Sequence, residues 1–146
     1  MRIYPKVTAA LLARQGRLLI AQRPSDKRFG LRWEFPGGKV EPREGLKESL
    51  AREIREELCL DVAVGHLFRL VKYRADDFGI DLYAYWCSIS GGELRLREHV
   101  AVEWVFPEDL GRFDLTQADR VLVPFLLALP ELPEATPDSA PQCRLP

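Results

Sequence analysis

Three glutamates near the end of a predicted helix give the strongest chemical signal in this chain. Glu53, Glu56 and Glu57 occupy positions i, i+3 and i+4, which share one face of a helix with about 3.6 residues per turn. Like charges at this spacing repel one another, so we expect a cation to neutralise them. Hard divalent ions such as Mg²⁺ prefer carboxylate oxygens and commonly share them with substrate phosphates. The alternative is a solvated surface, because glutamate-rich helices usually turn their charges to water.

The residues around these glutamates extend the signal into a pattern with fixed spacing. It resembles the Nudix box, G-x5-E-x7-R-E-U-x-E-E-x-G-U, in which U is aliphatic. The agreeing positions are Gly38, Glu44, Arg52, Glu53, Ile54, Glu56, Glu57 and Leu60. Cys59 departs from the pattern, because the family has a glycine there. That glycine is expected to permit a left-handed or close-packed helix end, so we expect altered local geometry at Cys59 and retained metal binding.

The resemblance implies a metal-dependent hydrolase and gives each box residue a role. Glu53, Glu56 and Glu57 would be ligands of Mg²⁺, with Mn²⁺ possible in its place. Glu53 would also be the general base. Arg52 would orient the box carboxylates through charged hydrogen bonds.

Two further metal ligands are implied by the resemblance. The Gly38 carbonyl would be one, because the family uses a carbonyl at this position, and glycine lets the backbone approach a ligand closely. Many Nudix enzymes bring another glutamate from a late loop. Glu98 fits that position, with Glu103 as the competing candidate. The two histidines, His66 and His99, are interpreted as structural or surface residues.

Basic residues flanking the box are candidates for phosphate binding. Arg23 ends a predicted strand, where nucleotide-directed Nudix members place an arginine, and a guanidinium group suits phosphate oxygens. Lys27 and Arg28 follow in the next loop. Lys39 lies beside the acidic cluster, where it would contact phosphate or tune Glu53.

The base pocket is predicted from Phe35 and the segment 113–119. Phe35 or Phe78 would stack on a base, although aromatic residues are more often part of the core. Oxoguanine-specific members of the family commonly have asparagine at the position of Asp119. An ionised aspartate only accepts hydrogen bonds, whereas asparagine also donates. Asp119 therefore favours an exocyclic amine, such as that of cytosine, although a protonated aspartate would also donate.

The run from Trp33 to Glu41 resembles the MutT-related branch of the family. This likeness implies hydrolysis of a nucleoside triphosphate to the monophosphate and pyrophosphate. With Asp119, the chain resembles the CTP pyrophosphohydrolases more closely, so CTP, dCTP or oxidised nucleotides are the expected substrates and nucleotide pool sanitation is the expected role. One alternative is an 8-oxo-dGTP diphosphatase with strict guanine choice. Others are a non-catalytic nucleotide-binding module and a structural protein whose acidic helix arose by chance.

The elements that must position these residues indicate an α/β fold. Strands are predicted at 3–13, 17–22, 62–73, 80–89 and 100–106, with a short extended piece at 33–35 that Pro36, Gly37 and Gly38 stop. Gly45 to Leu58 is the predicted box helix. Gly91-Gly92 is a predicted turn, and a last helix is predicted from a Thr116 cap to Leu129 with a kink at Pro124. The resemblance implies a Nudix α/β/α sandwich with a mixed sheet and a loop-helix-loop catalytic motif.

Composition sets the broad class of the protein. The 146 residues are 47% hydrophobic with a net charge of −1, which is typical of one globular domain, assigned to residues 1–130. A near-neutral chain does not favour a nucleic-acid polymer as partner, and no stretch is long and apolar enough for a membrane span. Residues 131–146 form a Pro-rich tail. Three dispersed cysteines indicate a reducing cytoplasm, and a monomer or homodimer is expected.

Overall fold

Seven strands and three helices account for the regular structure of residues 3–133, which the computed structural model describes. The strands are β1 (Lys6–Arg14), β2 (Arg17–Gln22), β3 (Trp33–Glu34), β4 (Gly37–Lys39), β5 (Leu60–Arg74), β6 (Gly79–Gly92) and β7 (Ala101–Val105). The helices are α1 (Leu46–Leu58), α2 (Gln117–Arg120) and α3 (Val123–Leu127), and a 3-10 helix covers Pro107–Arg112. The predicted hairpin between the first two strands and the predicted box helix are confirmed.

Strand β1 is the centre of a mixed sheet. It runs parallel to β6 and antiparallel to β2 and β4. The order along the sheet is β3-β2-β1-β6-β5, and β7 pairs with β2. Thr8 of β1 stands opposite Gly38 of β4, so the glycine pair is fixed on the sheet a few residues before α1 begins.

Helical elements cover both faces of this sheet, as the α/β/α prediction requires. On one face, Leu50, Ile54 and Leu58 of α1 are fully buried, and they recur at the four-residue spacing of a helix stripe. On the other face, Leu110 of the 3-10 helix and Leu126 of α3 pack into a second apolar cluster. Because α1 is held by its apolar stripe, its glutamates project from the adjoining side.

Three local predictions are wrong. The glycine pair 91–92 lies inside β6, where it pairs with Leu60 and Asp61 of β5 instead of forming a turn. The last helix is divided, since α2 ends at residue 120 and α3 starts at 123 with a proline in its first turn. Proline has no N–H to donate and is tolerated only in that turn. Residues 37–39 do not merely end the extended piece, since β3 stops at Glu34 and these residues form β4, paired with β1. Glycine permits this close pairing, because a Cβ at Gly37 would lie 1.9 Å from the Thr8 carbonyl oxygen.

The described residues do not include most of the predicted Pro-rich tail. Residues 134–146, the larger part of the segment 131–146, lie outside them. Within residues 3–133, no helix has the length and hydropathy that crossing a membrane would require.

Candidate active site

The glycine pair brings β4 into direct contact with a box glutamate. A Cβ added to Gly38 would lie 2.5 Å from the carboxyl carbon of Glu53, so only glycine leaves room for that carboxylate. The Gly38 carbonyl oxygen accepts a hydrogen bond of 3.3 Å from the Thr8 hydroxyl. Burial raises the pKa of Glu53, and the neighbouring Arg52 guanidinium opposes this shift. The site therefore holds a partly desolvated carboxylate against the backbone.

Glu57 is the most deeply buried acid of the box. Only 6% of the residue is exposed, and within the described part of the chain its Oε1 atom has no hydrogen-bond partner. Burial, followed by the negative charges of Glu34, Glu53 and Glu98, raises its pKa to about 9. A buried acid with an unpaired oxygen and acidic neighbours is the environment in which a divalent cation stabilises the ionised form. The donor set of carboxylate oxygens is the one Mg²⁺ prefers.

Arg52 binds the acids on the outer side of α1. Its Nε and Nη2 atoms donate to the two carboxylate oxygens of Glu44 at 2.6 and 3.0 Å. Its Nη1 atom lies 3.1 Å from Glu53 Oε1 and 3.1 Å from Glu56 Oε2. The hydrogen bond from Arg52 is the main reason that the pKa of Glu44 falls to about 2. This geometry suits the orienting role that the box pattern predicts for Arg52.

The late glutamate reaches the site because its loop is fastened to the C-terminal end of α1. The Arg95 amide donates to the Leu58 carbonyl at 3.0 Å, and the Arg97 amide donates to the Glu57 carbonyl at 3.1 Å. Glu98 follows and lines the same cavity as Glu57. The competing candidate, Glu103, is exposed on β7 and is not among the residues that line this cavity.

One cavity of about 520 Å³ brings together most of the predicted site. Its lining includes the predicted residues Arg23, Arg28, Phe35, Gly38, Lys39, Glu53, Glu57, Glu98 and Asp119, together with Lys27 and Phe78. Arg52 and Glu56 are not among the described residues that line it. Glu56 has 60% of its side chain exposed and contacts Arg52, so the structure places this predicted ligand at the outer edge of the site.

An arginine and two aromatic rings form one wall of the cavity. The Arg28 guanidinium lies 4.9 Å from the ring centre of Phe29 and 4.8 Å from that of Phe78. Arg23, another predicted phosphate ligand, donates to Glu34 at 3.0 Å and to the Arg28 carbonyl at 2.8 Å. The cationic groups thus share the cavity with the acids.

Asp119 is buried in α2 and is hydrogen-bonded to the segment between β3 and β4, which contains Phe35. Its Oδ2 atom accepts a hydrogen bond of 2.8 Å from the Phe35 amide. Burial, followed by the charge of Glu34, raises the pKa of Asp119 to about 7. Phe35 itself is 3% exposed and belongs to the apolar core, so Phe78, which is only partly buried, has the more accessible ring.

The structure adds two residues that the sequence reasoning did not assign to the site, Glu34 and His99. His99 is buried, with its Nε2 atom 2.9 Å from Glu34 Oε2 and 3.7 Å from Glu57 Oε2. One donor atom from each of Glu34, Glu57 and His99 fits within a separation of 4.8 Å. In the sequence, the signal for each of these two residues is only that it lies next to a predicted site residue. Glu34 precedes Phe35, and His99 follows Glu98.

The departure at Cys59 keeps the backbone geometry expected of the family glycine. Cys59 is left-handed, with φ 60° and ψ 26°, and its amide donates to the Arg55 carbonyl. The Arg97 Nε atom lies 3.4 Å from its sulfur. The left-handed helix end expected of the family glycine is therefore present at Cys59, and the prediction of altered local geometry there is wrong. The cysteine also supplies a contact to the Glu98 loop that glycine cannot make.

Comparisons with known proteins agree with this geometry. The NUDIX domain model matches residues 3–126. The chain is 37% identical to the CTP pyrophosphohydrolase of Escherichia coli K12, over 85% of this chain and 92% of that protein. It is 39% identical to the putative 8-oxo-dGTP diphosphatase 2 of Mycobacterium tuberculosis H37Rv, over 78% of this chain and 82% of that protein. The solution structure of the E. coli ORF135 protein superposes with a TM-score of 0.76 at 36% identity, covering 86% of this chain and 90% of that one. The chain belongs to the Nudix family.

Proposed function

We propose that this protein is a metal-dependent nucleoside triphosphate pyrophosphohydrolase, which converts NTP and water to NMP and pyrophosphate. The observation that carries the proposal is a single cavity lined by the acids Glu53, Glu57 and Glu98 and by the basic residues Arg23 and Arg28. Acids that hold a cation and guanidinium groups that bind phosphate are the two requirements for hydrolysing a phosphoanhydride. The names of the relatives support the same reaction class.

The metal would be held by the carboxylates of Glu53, Glu57 and Glu98 and by the Gly38 carbonyl, with Glu56 at the edge. We propose Mg²⁺, with Mn²⁺ as a substitute, because the donors are oxygens. The observation that supports this fit is the buried Oε1 atom of Glu57, which has no hydrogen-bond partner in the part of the chain that the structure describes. When bound, the ion would neutralise phosphate charge and make the phosphorus more electrophilic.

The chain's own residues supply the proton transfer and the orientation. Glu53 accepts a proton from the attacking water as the water oxygen bonds to a phosphorus of the triphosphate. The bond from that phosphorus to the bridging oxygen breaks, and both electrons stay with the leaving group. Arg52 keeps the Glu53 carboxylate in place through its 3.1 Å contact, and Arg23, Arg28 and Lys39 bind phosphate oxygens.

The substrate base would be read at Asp119, with Phe78 stacking on it. We propose CTP, dCTP or their oxidised forms, because an ionised Asp119 accepts a hydrogen bond from an exocyclic amine. The second candidate is 8-oxo-dGTP, which the raised pKa of Asp119 favours, because a protonated carboxyl can also donate. Either substrate fits a role in cleansing the nucleotide pool.

A panel of matched triphosphates tests the proposal. Purified protein with Mg²⁺ is incubated with CTP, dCTP, 5-hydroxy-dCTP, dGTP and 8-oxo-dGTP, and products are separated by chromatography. Monophosphate and pyrophosphate in equal amounts are expected, with the highest kcat/KM for a cytosine nucleotide. A sharp preference for 8-oxo-dGTP would select the second candidate, and no hydrolysis of any triphosphate would contradict the proposal.

A further inference from the structure

A largely buried chain of charged and polar groups forms part of the cavity lining, and it joins four separate parts of the chain. Arg23 follows β2, Glu34 ends β3, Glu57 belongs to α1, and His99 lies in the loop before β7. The side chains of Glu34, Glu57 and His99 are 15%, 7% and 2% exposed. Groups this deeply buried need defined partners, so their arrangement is informative.

Both oxygens of the Glu34 carboxylate are engaged. Oε1 accepts from Arg23 Nη1 at 3.0 Å, and Oε2 lies 2.9 Å from His99 Nε2. A carboxylate can only accept, so Nε2 carries the proton in this contact. His99 Nδ1 has no partner among the described residues, so Nε2 makes the hydrogen bond that fixes the ring.

His99 does not form the same hydrogen bond with Glu57 that it forms with Glu34. The Oε2 atom of Glu57 stands 3.7 Å from His99 Nε2, which is too long for a hydrogen bond. Within residues 3–133, its Oε1 atom has no hydrogen-bond partner. The backbone, however, is fixed, because the Arg97 amide donates to the Glu57 carbonyl two residues before His99. The His99 ring therefore stands between two carboxylates, binding one and leaving the other free.

We propose that His99 is a positioning residue. Its hydrogen bond holds Glu34 in contact with Arg23 and so keeps Glu57 available for the catalytic cation. Without the ring N–H, Glu34 would have an unpaired buried oxygen beside Glu57. Two neighbouring carboxylates would then compete for a proton or for the cation. Groups that orient metal ligands from behind are typically worth 10–100-fold in metal affinity. This inference rests on the proposed metal-dependent function.

Replacing His99 with asparagine or with glutamine distinguishes a hydrogen-bonding role of the ring from simple space filling. The side-chain nitrogen of glutamine extends about as far as Nε2 of histidine, whereas that of asparagine extends only about as far as Nδ1. Mn²⁺ binding without nucleotide is measured by electron paramagnetic resonance. We expect His99→Asn to weaken it by about tenfold and His99→Gln to stay within about twofold of the wild type. His66→Leu, at the exposed second histidine, is the control and should have no effect.

Adding Glu34→Gln to His99→Asn gives the decisive comparison. Removing the charge of Glu34 removes the competitor, so Mn²⁺ affinity should recover toward the wild-type value, and kcat should recover at saturating Mn²⁺. Circular dichroism and the Tm without metal establish that each variant is folded. If His99→Asn is unstable, His99→Gln carries the test alone, and a tenfold loss of Mn²⁺ affinity in that folded variant would overturn the proposal.

Three results would overturn the proposal. The first is a folded His99→Asn variant with unchanged Mn²⁺ affinity, and the second is a double variant that does not recover. The third is a nitrogen hyperfine coupling on bound Mn²⁺ that disappears in His99→Gln, which would make His99 a ligand. Each of these requires that wild-type protein binds Mn²⁺. If the wild type does not, the metal dependence of the proposed function fails as well.

Discussion

Carboxyl groups on the two sides of helix α1 have opposite environments, and their pKa values shift in opposite directions. On the outer side, Arg52 satisfies Glu44 with two hydrogen bonds, and the pKa of Glu44 falls to about 2. On the cavity side, one oxygen of Glu57 has no hydrogen-bond partner among the described residues, and burial raises the pKa of Glu57 to about 9. Both acids belong to one motif, but only the structure shows how different their environments are. The contrast supports the proposal that the outer acids orient the motif and that Glu57 binds the cation.

Glu57→Gln should give the largest change on the inner side. Because loss of an outer-shell group already costs 10–100-fold in metal affinity, loss of this ligand should cost more than about 100-fold, and turnover should fall with it. The folded-state pKa of Glu57 lies above its usual value of 4.5, so its contribution to stability decreases as the pH rises from about 4.5 through 9. Without metal, the variant should therefore have the higher Tm at pH 8.

The control for this prediction is Glu48→Gln, at an exposed glutamate in the first turn of the same helix. Isothermal titration with Mn²⁺ and thermal melts at pH 6 and 8 measure both effects. If the Glu57 variant and the wild type bound Mn²⁺ equally, Glu57 would not be a metal ligand, and the proposed difference between the two sides of α1 would be contradicted.

Arg52→Gln tests the outer side. We expect kcat/KM to fall about tenfold, since an oriented carboxylate network is lost while the ligands remain. In the wild type, the lowered pKa of Glu44 gives stability that is present above about pH 4.5 and is lost as the pH falls through 2. The variant should lack this acid transition in its Tm. Arg55→Gln, which breaks an exposed pair with Asp61, should change neither quantity.

Asp119→Asn tests a second buried acid. Asp119 is buried like Glu57, but its carboxyl group accepts a hydrogen bond from the Phe35 amide. The pKa of Asp119 is raised from 3.8 to about 7, so the free energy of unfolding should decrease as the pH rises through that range. Asparagine should flatten this dependence. Because asparagine donates at every pH, the ratio of kcat/KM for 8-oxo-dGTP over dCTP should rise about fivefold, the effect of one hydrogen bond of about 1 kcal/mol. An unchanged ratio would remove Asp119 from base recognition.

Cys59→Gly should give the smallest effect. Glycine relieves the positive φ of Cys59, which costs an L-residue about 1 kcal/mol, but it loses the contact from Arg97 to the sulfur. We expect a slightly higher Tm and activity within about twofold of the wild type, measured by thermal melts and steady-state kinetics. A strong gain in activity would mean that the departure from the box impairs this enzyme.

The sequence revealed the parts of the molecule that rest on local spacing. The apolar stripe of α1 and the spacing of its glutamates predicted the helix, and the box pattern predicted the acidic side of the cavity. It did not place Glu34 and His99 in the site, because 65 positions separate them along the chain and only the sheet and the docked loop bring them together. The continuation of β6 through Gly91-Gly92 likewise depends on tertiary pairing, whereas the break in the last helix just before Pro124 has the local cause behind the predicted kink, a proline without an N–H.

Quantifying both products of wild-type and Glu53→Gln protein, with Mg²⁺ and with a chelator, is the measurement that decides whether this site is a pyrophosphohydrolase. The wild type with Mg²⁺ should release monophosphate and pyrophosphate in a ratio of one from a cytosine triphosphate. The chelated sample and a folded Glu53→Gln variant should fall by orders of magnitude, since the water would lack its base or its electrophile. Near-normal turnover in the Glu53 variant, or release of diphosphate and inorganic phosphate by the wild type, would contradict the account.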